Sequence, residues 1–395
     1  MSTPSPSRRI RIAGVGLVTP LGVGAWPTYR ALCAGRRITD RVGEIPEGID
    51  PVSTVRAIGA ISTAQHTATD PTVEIAERAA REALAEANIS PTGLATWIGT
   101  SKGAVLALTH KHAEHRNLAV AMGPHGYLDH YLMQRLGVSS RGHWVAACAS
   151  SLHALDAARR AILMGRVDRA LVLTSEAALG PEFIHSYRRL GVLSPTSPPD
   201  KYIETPLAQE RGGFVLSELG AAVVLESVDD DVTGLELLDT ATACEADNLV
   251  QPAPGMPALG HIASGLLAGR TIDCLHPHTP GTEGHDPQEV EVLARACAHQ
   301  KTLPSVYANK GALGHGLGAS GLVSLVLACV CLRAGRIPPM NWLTPETTMD
   351  LHGLAIPAVG GAMGGGGGRC SRKGVHAVFA AGFAGHTAGA VVGSN

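Results

Sequence analysis

The sequence around Cys148 is typical of a position that can hold a nucleophile. An apolar run ends at this residue, small residues follow, and an amphipathic pattern then opens within residues 143–165. The spacing predicts a strand, a tight turn and a helix that stops at Gly165. A cysteine at a helix start faces unpaired backbone N–H groups and the helix dipole, which favour the nucleophilic thiolate. The alternative is a small buried cysteine packed under a strand.

Two later segments each carry a histidine among small residues. His278 opens the run HTPGT, and Glu289 follows it. His315 lies in NKGALGHGLGASG, five residues after Lys310. An isolated histidine is more often a surface or core residue than a catalytic one. Two such segments in one chain with Cys148, however, favour the interpretation of Cys148 as a nucleophile.

These residues, in this order, resemble the elongating β-ketoacyl-acyl-carrier-protein synthases, the thiolase-superfamily ketosynthases of type II fatty acid and polyketide assembly. That family carries a Cys in a T-A-C-A-S-S-type run and a His in H-G-T-G-T. A Lys then precedes a second His in K-x-x-x-G-H-x-x-G-A-x-G. Four further segments resemble family motifs, so that the resemblance spans almost the whole chain: residues 9–22, 191–194, 211–218 and 382–385.

The resemblance implies a decarboxylative Claisen condensation. Cys148 would accept the acyl group as a covalent thioester. His278 and His315 would donate hydrogen bonds to the malonyl thioester oxygen while carbon dioxide leaves. The backbone N–H groups of Cys148 and Phe383 would bind the oxyanion of acyl transfer, and Phe383, which follows Gly382, would gate the acyl pocket.

The same resemblance implies roles for the supporting residues. Lys310 and Glu289 would form an ion pair that positions the histidines. Thr282 would bind the pantetheine arm of the carrier protein, so no metal and no further cofactor is expected. Lys102 falls in a stretch that borders the acyl pocket in the family. Because a buried lysine needs a partner, it would meet a short or polar acyl group or turn out to solvent.

Several positions depart from the family pattern. Pro280 replaces the first Thr of H-G-T-G-T, and the missing hydroxyl should cost about 1 kcal/mol of pantetheine binding. Residues 206–208 read Pro-Leu-Ala in place of P-F-D. Ala381 and Ala384 replace an aromatic residue and a glycine around the G-F-G-G loop, which should then move differently. These departures indicate a specialised pathway.

The order of elements predicts an α/β protein. Short β-branched runs alternate with alanine-rich helical patterns along the chain. Residues 73–87 predict an amphipathic helix, and residues 170–174 and 221–226 predict strands.

A faint internal repeat accompanies this pattern. Residues 143–165 and 305–335 both read as a strand, a small-residue turn and a long helix. The thiolase fold that the resemblance implies is a duplicated unit in five αβαβα layers. We therefore expect two halves, residues 1–232 with the cysteine and residues 233–395 with the histidines, joined at an acidic, turn-prone stretch.

Composition narrows the class of protein. With 45% hydrophobic and 17% charged residues, the chain suits a compact enzyme rather than disorder. The net charge of −2 does not indicate nucleic-acid binding. The N-terminus lacks a signal-peptide pattern, and the longest apolar run, residues 321–332, is too short to cross a bilayer. Eight cysteines without paired spacing predict reduced thiols in a cytoplasm.

Partners and rival functions follow from the resemblance. An acyl carrier protein is the expected partner, together with a second identical or ketosynthase-like subunit in a dimer. A chain-length-factor subunit lacks the nucleophile, which Cys148 provides here. A non-decarboxylating acyltransferase on the same fold would not need both histidines and Lys310.

Two local patterns suggest other chemistry. GTSKG at residues 99–103 matches the G-x-S-x-G elbow of serine hydrolases. His110, His112 and His115 could suggest a metal site. As helical positions they would point to different faces, so we expect a solvated segment instead.

Overall fold

The computed structural model describes residues 8–38, 69–194, 205–229, 233–357 and 368–395. The glycine-rich stretch at residues 360–368 and the acidic junction near residues 230–233 lie almost wholly outside these ranges. The assignment of residues 1–232 and 233–395 to two halves stays a prediction.

The strands are β1 (Arg9–Thr19), β2 (Gly22–Val23), β3 (Ala95–Gly99), β4 (Ser139–Trp144), β5 (Arg169–Glu176), β6 (Leu219–Val228), β7 (Leu235–Cys244), β8 (Cys274–His276), β9 (Ser305–Val306), β10 (Arg336–Ile337), β11 (Gly368–Arg369), β12 (Val375–Ala381) and β13 (His386–Ser394). The helices are α1 (Ala25–Cys33), α2 (Pro71–Ala87), α3 (Ala113–Leu136), α4 (Ser150–Leu163), α5 (Pro181–Arg189), α6 (Pro257–Leu267), α7 (Asp286–Ala296), α8 (Lys310–Leu313) and α9 (Ser320–Ala334). Short 3-10 turns lie at Val105–Thr109, Leu317–Ala319 and Phe383–Gly385.

The main sheet consists of two half-sheets with the same topology. Its strand order is β4-β3-β5-β6-β1-β7-β13-β12-β8-β9, and β1 pairs with β7 only at Arg11 and Glu236. In the first half β3 lies parallel to β4 and β5, and β6 is antiparallel to β5 and β1. In the second half β8, β9, β12, β13 and β7 repeat this arrangement. The duplicated α/β fold expected from the sequence is confirmed.

Helices complete five layers around the two half-sheets. Helices α4 and α9 each contact strands of both halves and form the central layer. Helix α2 covers β1, β5 and β6 on one outer side, and α6, which packs on α7, covers β7 and β13 on the other. The predicted helix at residues 73–87 is α2, and the strands predicted at 170–174 and 221–226 are β5 and β6.

Helix α9 is apolar all round because it lies in the central layer. The stretch Leu317–Ala334 has a mean hydropathy of 2.0 and is long enough to cross a membrane by length and composition, although 89% of it is buried inside the protein. The expectation that the longest apolar run comprises only residues 321–332 and is too short to cross a bilayer is therefore wrong. This stretch is a core helix. All eight cysteines are free thiols, as expected.

Candidate active site

Cys148 lies in the tight connection between β4 and α4. The preceding residue, Ala147, has a φ of +46°, in the left-handed region that a residue with a Cβ seldom adopts. The hydroxyl of Ser150 accepts the Ala146 N–H at 2.9 Å and donates to the Ala147 carbonyl at 2.6 Å. These bonds fix the turn, so the predicted strand, turn and helix are present, with the helix beginning at Ser150.

The thiol of Cys148 is the resting form. Burial raises its pKa from 9.0 to about 12, nearby Glu176 raises it too, and Lys310 and Lys102 lower it. A shift of this size corresponds to about 4 kcal/mol, whereas a helix terminus contributes about 0.3–1 kcal/mol. Desolvation of the sulfur therefore outweighs the helix start, and the expected preference for a resting thiolate is not found.

His315 reaches Cys148 from the other half of the chain. Its Nε2 lies 3.2 Å from the Cys148 Sγ, and its Nδ1 lies 2.9 Å from the Ser320 hydroxyl. The main chain of His315 is fixed on both sides. Its N–H donates to the Val215 carbonyl at 2.7 Å, and its carbonyl accepts the Ser217 N–H at 3.1 Å.

His278 follows β8 and is held through its backbone. Glu289, fully buried on α7, accepts the N–H groups of His278 and Thr279, each at 2.6 Å. One carboxylate oxygen of Glu289 also lies 3.1 Å from the His285 Nε2. The ammonium of Lys310 donates to the His278 carbonyl. Lys310 and Glu289 thus both act on the main chain of His278, and a direct ion pair between them stays a prediction.

The two histidines and the cysteine converge. The imidazole rings of His278 and His315 are 5.2 Å apart and inclined by 74°. One donor atom from each of Cys148, His278 and His315 lies within 4.8 Å of the others. Burial lowers the pKa of both histidines well below its usual range, and the Lys310 charge adds to this. Both imidazoles are therefore neutral at neutral pH, the form expected of hydrogen-bond donors to an enolate.

Gly382 and Phe383 approach the nucleophile from the end of β12. A Cβ on Gly382 would lie 2.8 Å from the Cys148 backbone nitrogen, so only glycine fits there. The Phe383 ring lies 6.3 Å from that of Tyr187. Ala384, where the family pattern has glycine, adopts a φ of +61°. The loop thus keeps a glycine-type backbone without the glycine.

A cavity of about 480 Å³ opens onto these residues. Its lining includes Cys148, both histidines, Phe383, Pro280 and Thr282. Lys102 does not line this cavity. It is half-buried, and its ammonium is 5.9 Å from the centre of the Tyr187 ring.

The GTSKG stretch does not form a hydrolase site. The Ser101 N–H donates to Glu176, and no histidine among the described residues is a hydrogen-bond partner of the buried Ser101 hydroxyl. A serine nucleophile needs an adjacent base. This rival function has no support in the geometry.

The prediction that His110, His112 and His115 all lie on one helix is wrong. His110 and His112 precede α3, so only His115 is helical. The His110 ring lies 5.4 Å from that of His112 and 4.6 Å from that of His115. The His115 Nδ1 lies 2.7 Å from the Tyr127 hydroxyl, which ties this ring into an aromatic cluster.

Three supporting residues did not emerge from the sequence. Ser320 partners His315, His285 partners Glu289, and Glu176 receives the Ser101 N–H. The placement of His285 four residues before Glu289, on one helical face, was a usable signal. Ser320 lies only five residues after His315, whereas Glu176 carried no signal, because only the tertiary fold brings it to the site.

Comparisons with known proteins agree with this geometry. The family model described as the beta-ketoacyl synthase N-terminal domain matches residues 7–231, and that of the C-terminal domain matches residues 253–343. A Streptomyces halstedii protein named as a polyketide beta-ketoacyl synthase 1 is 27% identical over 87% of this chain and 90% of its own. A 3-oxoacyl-[acyl-carrier-protein] synthase 2 of Mycobacterium leprae is 29% identical over 53% of each chain.

Solved structures share the fold. A type II polyketide ketosynthase, in complex with its acyl-carrier protein, superimposes with a TM-score of 0.80 at 21% identity, covering 98% of this chain and all of the other. A beta-ketoacyl synthase from Burkholderia phymatum gives a TM-score of 0.78 at 20% identity with the same coverage. The thiolase-type fold, and family models that together match most of the sequence, place this chain in the β-ketoacyl synthase family.

Proposed function

We propose that the protein catalyses the decarboxylative condensation of an acyl thioester, loaded on Cys148, with a malonyl-acyl-carrier protein in a type II fatty acid or polyketide pathway. The observation that carries the proposal is the convergence of Cys148, His278 and His315 on one cavity. The names of the relatives, polyketide ketosynthases and 3-oxoacyl-carrier-protein synthases, support the same reaction.

In the first half-reaction, the sulfur of Cys148 attacks the carbonyl of the incoming acyl thioester. The new bond joins Sγ to the acyl carbon, the bond to the carrier thiol breaks, and the thiol proton of Cys148 ends on that departing thiol. A Ser320 hydroxyl that donates to the His315 Nδ1 leaves a proton on Nε2, which faces the sulfur. This N–H would stabilise the sulfur anion as it forms, and backbone N–H groups of Cys148 and Phe383 would bind the oxyanion.

In the second half-reaction, the malonyl thioester occupies the vacated cavity. His278 and His315 would donate to its thioester oxygen while carbon dioxide leaves, and the resulting carbanion attacks the acyl carbon on Cys148. The new bond joins the two carbons, the bond between Sγ and the acyl carbon breaks, and Cys148 leaves as a thiolate that takes up a proton from solvent. A neutral imidazole carries one N–H group that can donate to this oxygen. The low pKa values of His278 and His315 favour the neutral form. Lys310 and Glu289 would hold His278 in place through its backbone.

Binding would use the carrier's own arm. Thr282 and Pro280 line the cavity and would contact the pantetheine, so the enzyme needs no cofactor of its own. We assign an acyl carrier protein as substrate carrier and a dimer, with an identical or ketosynthase-like partner, as the active assembly. The location proposed is the cytoplasm, in keeping with eight free thiols.

One reconstitution tests the proposal against its rivals. The protein is incubated with acyl- and malonyl-carrier proteins while intact mass, carbon dioxide and β-ketoacyl product are recorded. Condensation predicts an acyl mass on Cys148, lost in Cys148→Ala, together with carbon dioxide and product. Acylation without carbon dioxide would indicate a plain acyltransferase. A chain that never acylates, but is needed by a partner that does, would be a chain-length factor.

A further inference from the structure

A second group of chemically active side chains lies deep in the C-terminal part of the main sheet. Strands β8 and β12 pair in parallel, with Cys274 beside His376 and His276 beside Val378. Residues two apart on a strand share a face, and so do paired residues on neighbouring strands. Cys274, His276 and His376 therefore project from one face, and none of them is exposed to solvent.

The three side chains meet closely enough to share one ion. One donor atom from each lies within 4.8 Å of the others. The Nε2 of His276 is 3.1 Å from the Nδ1 of His376. Two nitrogens on a tetrahedral zinc ion, each bonded at about 2.0–2.1 Å, are separated by about 3.4 Å. A shift of a few tenths of an ångström would therefore open the pair to a metal.

Packing alone does not account for these residues. The contact between the imidazoles occupies one nitrogen of each ring. The other nitrogens, Nδ1 of His276 and Nε2 of His376, are buried without a hydrogen-bond partner among the described residues, as is the hydroxyl of Tyr307. The Tyr307 ring lies 5.8 Å from that of His276. An unpaired buried polar group costs about 1–3 kcal/mol, and apolar residues would avoid that cost.

We propose that Cys274, His276 and His376 form a structural site for a thiophilic d10 cation. Zn²⁺ is the cation used to test the site. One thiolate and two imidazoles suit zinc, whereas Mg²⁺ and Ca²⁺ take oxygen ligands. Binding forms a bond between the metal and the Cys274 sulfur and releases the thiol proton to solvent.

The proposed metal site lies between two strands that lead to the active site. Strand β8 leads directly to His278, and β12 leads to Gly382 and Phe383. An ion between the strands would tie together the two segments that carry these active-site residues. No local pattern in the sequence indicates the site, because His376 lies about 100 residues beyond Cys274 and His276.

The test measures the zinc content of a Cys148→Ala variant, in which the other Cys–His–His group has lost its cysteine. The full chain with Cys148→Ala is produced in zinc-supplemented medium, purified without chelators, and its zinc measured by mass spectrometry. About one zinc per chain is expected, falling at least roughly fivefold on adding Cys274→Ser or His376→Ala. Cys297→Ser is the matched control, since that cysteine is also fully buried in the same part of the fold and should leave the zinc in place.

Two results would overturn the proposal: zinc-free protein from supplemented cultures, or equal zinc in Cys274→Ser and its parent. If the variants do not fold, the folded Cys148→Ala chain is loaded with Co²⁺ instead. A thiolate-to-cobalt charge-transfer band in the near ultraviolet, with tetrahedral bands in the visible, is expected. A cobalt spectrum without the thiolate band would equally reject the site. Both readouts are independent of condensation, so the proposed function can fail or stand separately.

Discussion

The carboxylate of Glu289 holds the main chain of His278 directly, accepting its N–H at 2.6 Å from a fully buried position on α7. From the opposite side, Lys310 binds the carbonyl of the same residue. A side chain that must donate to a developing enolate gains from such fixation, because no reorganisation is then needed during the reaction. Glu289 and Lys310 are accordingly positioning residues.

Replacing Glu289 by glutamine tests this role. In Glu289→Gln an amide N–H₂ would face a backbone N–H or His285, so at least one hydrogen bond is lost. We expect malonyl decarboxylation to fall about 10- to 100-fold, since small displacements of a catalytic group cost this much. Acyl loading of Cys148 should persist. Glu291→Gln is the matched control, because Glu291 lies on the same helix and half of its side chain is exposed. Equal decarboxylation rates in the two variants would contradict the role.

Substitutions of the two histidines should impair malonyl decarboxylation without preventing acyl loading of Cys148. His278→Ala or His315→Ala should lower malonyl decarboxylation by roughly 10²-fold or more, because each donor acts on the enolate. Peptide mapping should still find the acyl group on Cys148. His261→Ala, at an exposed position on α6, serves as the control. Normal decarboxylation in both active-site variants would show that the proposed mechanism is wrong.

The pH dependence of decarboxylation follows from the burial of the same histidines. Desolvation lowers the pKa of His278 and His315 well below 6.5, so both stay neutral as the pH falls from 8 to 6. The rate constant with saturating malonyl-carrier protein should therefore be flat over this range and decline only in more acidic solution. A decline centred on pH 6.5, the value of a solvated histidine, would mean that a donor is exposed to water.

The sequence predicted what local patterns and order along the chain can encode. The helix at 73–87, the turn at Cys148 and the duplicated fold all depend on hydrophobic periodicity and on motifs. The state of the Cys148 thiol was predicted wrongly because helix position is local, whereas desolvation depends on everything packed around the sulfur.

Tertiary relationships account for the other misses. The meeting of Cys274 with His376 depends on the register between β8 and β12, which no local pattern specifies. The sequence pattern placed His110, His112 and His115 on one helix and so did not predict that their rings group together. Helix α3 begins only at Ala113, after His110 and His112. The length of the apolar run in α9 was underestimated because the 3-10 turn before it is also apolar.

Ala384 should limit the stability of the loop after β12. It adopts a φ of +61° and a ψ of +21°, where a residue with a Cβ is disfavoured relative to glycine by about 1 kcal/mol. Ala384→Gly should therefore raise the free energy of unfolding by up to about 1 kcal/mol, less the entropy that glycine adds to the unfolded chain. Ala380→Gly, in regular strand β12, should lower it. Thermal melts of both variants test this, and a loss of stability in Ala384→Gly would contradict it.

Lys102 is the residue that we expect to set acyl preference. Its ammonium lies 5.9 Å from the centre of the Tyr187 ring, and Tyr187 packs in one buried cluster with Cys148. Its charge also lowers the pKa of the Cys148 thiol. A half-buried ammonium beside Tyr187 disfavours a long saturated chain, which cannot solvate it, and favours a short or polar acyl group.

Lys102→Ile should therefore shift loading of Cys148 toward longer saturated chains. The measurement is competition between acyl-carrier proteins of different chain length, read by intact mass as a ratio. A ratio cancels any uniform change in thiol reactivity caused by removing the charge. Malonyl decarboxylation should be unchanged, because the histidines keep their contacts, and Lys111→Ile, at an exposed position, should change neither quantity. A chain-length ratio in Lys102→Ile equal to that of the parent would remove Lys102 from the acyl pocket.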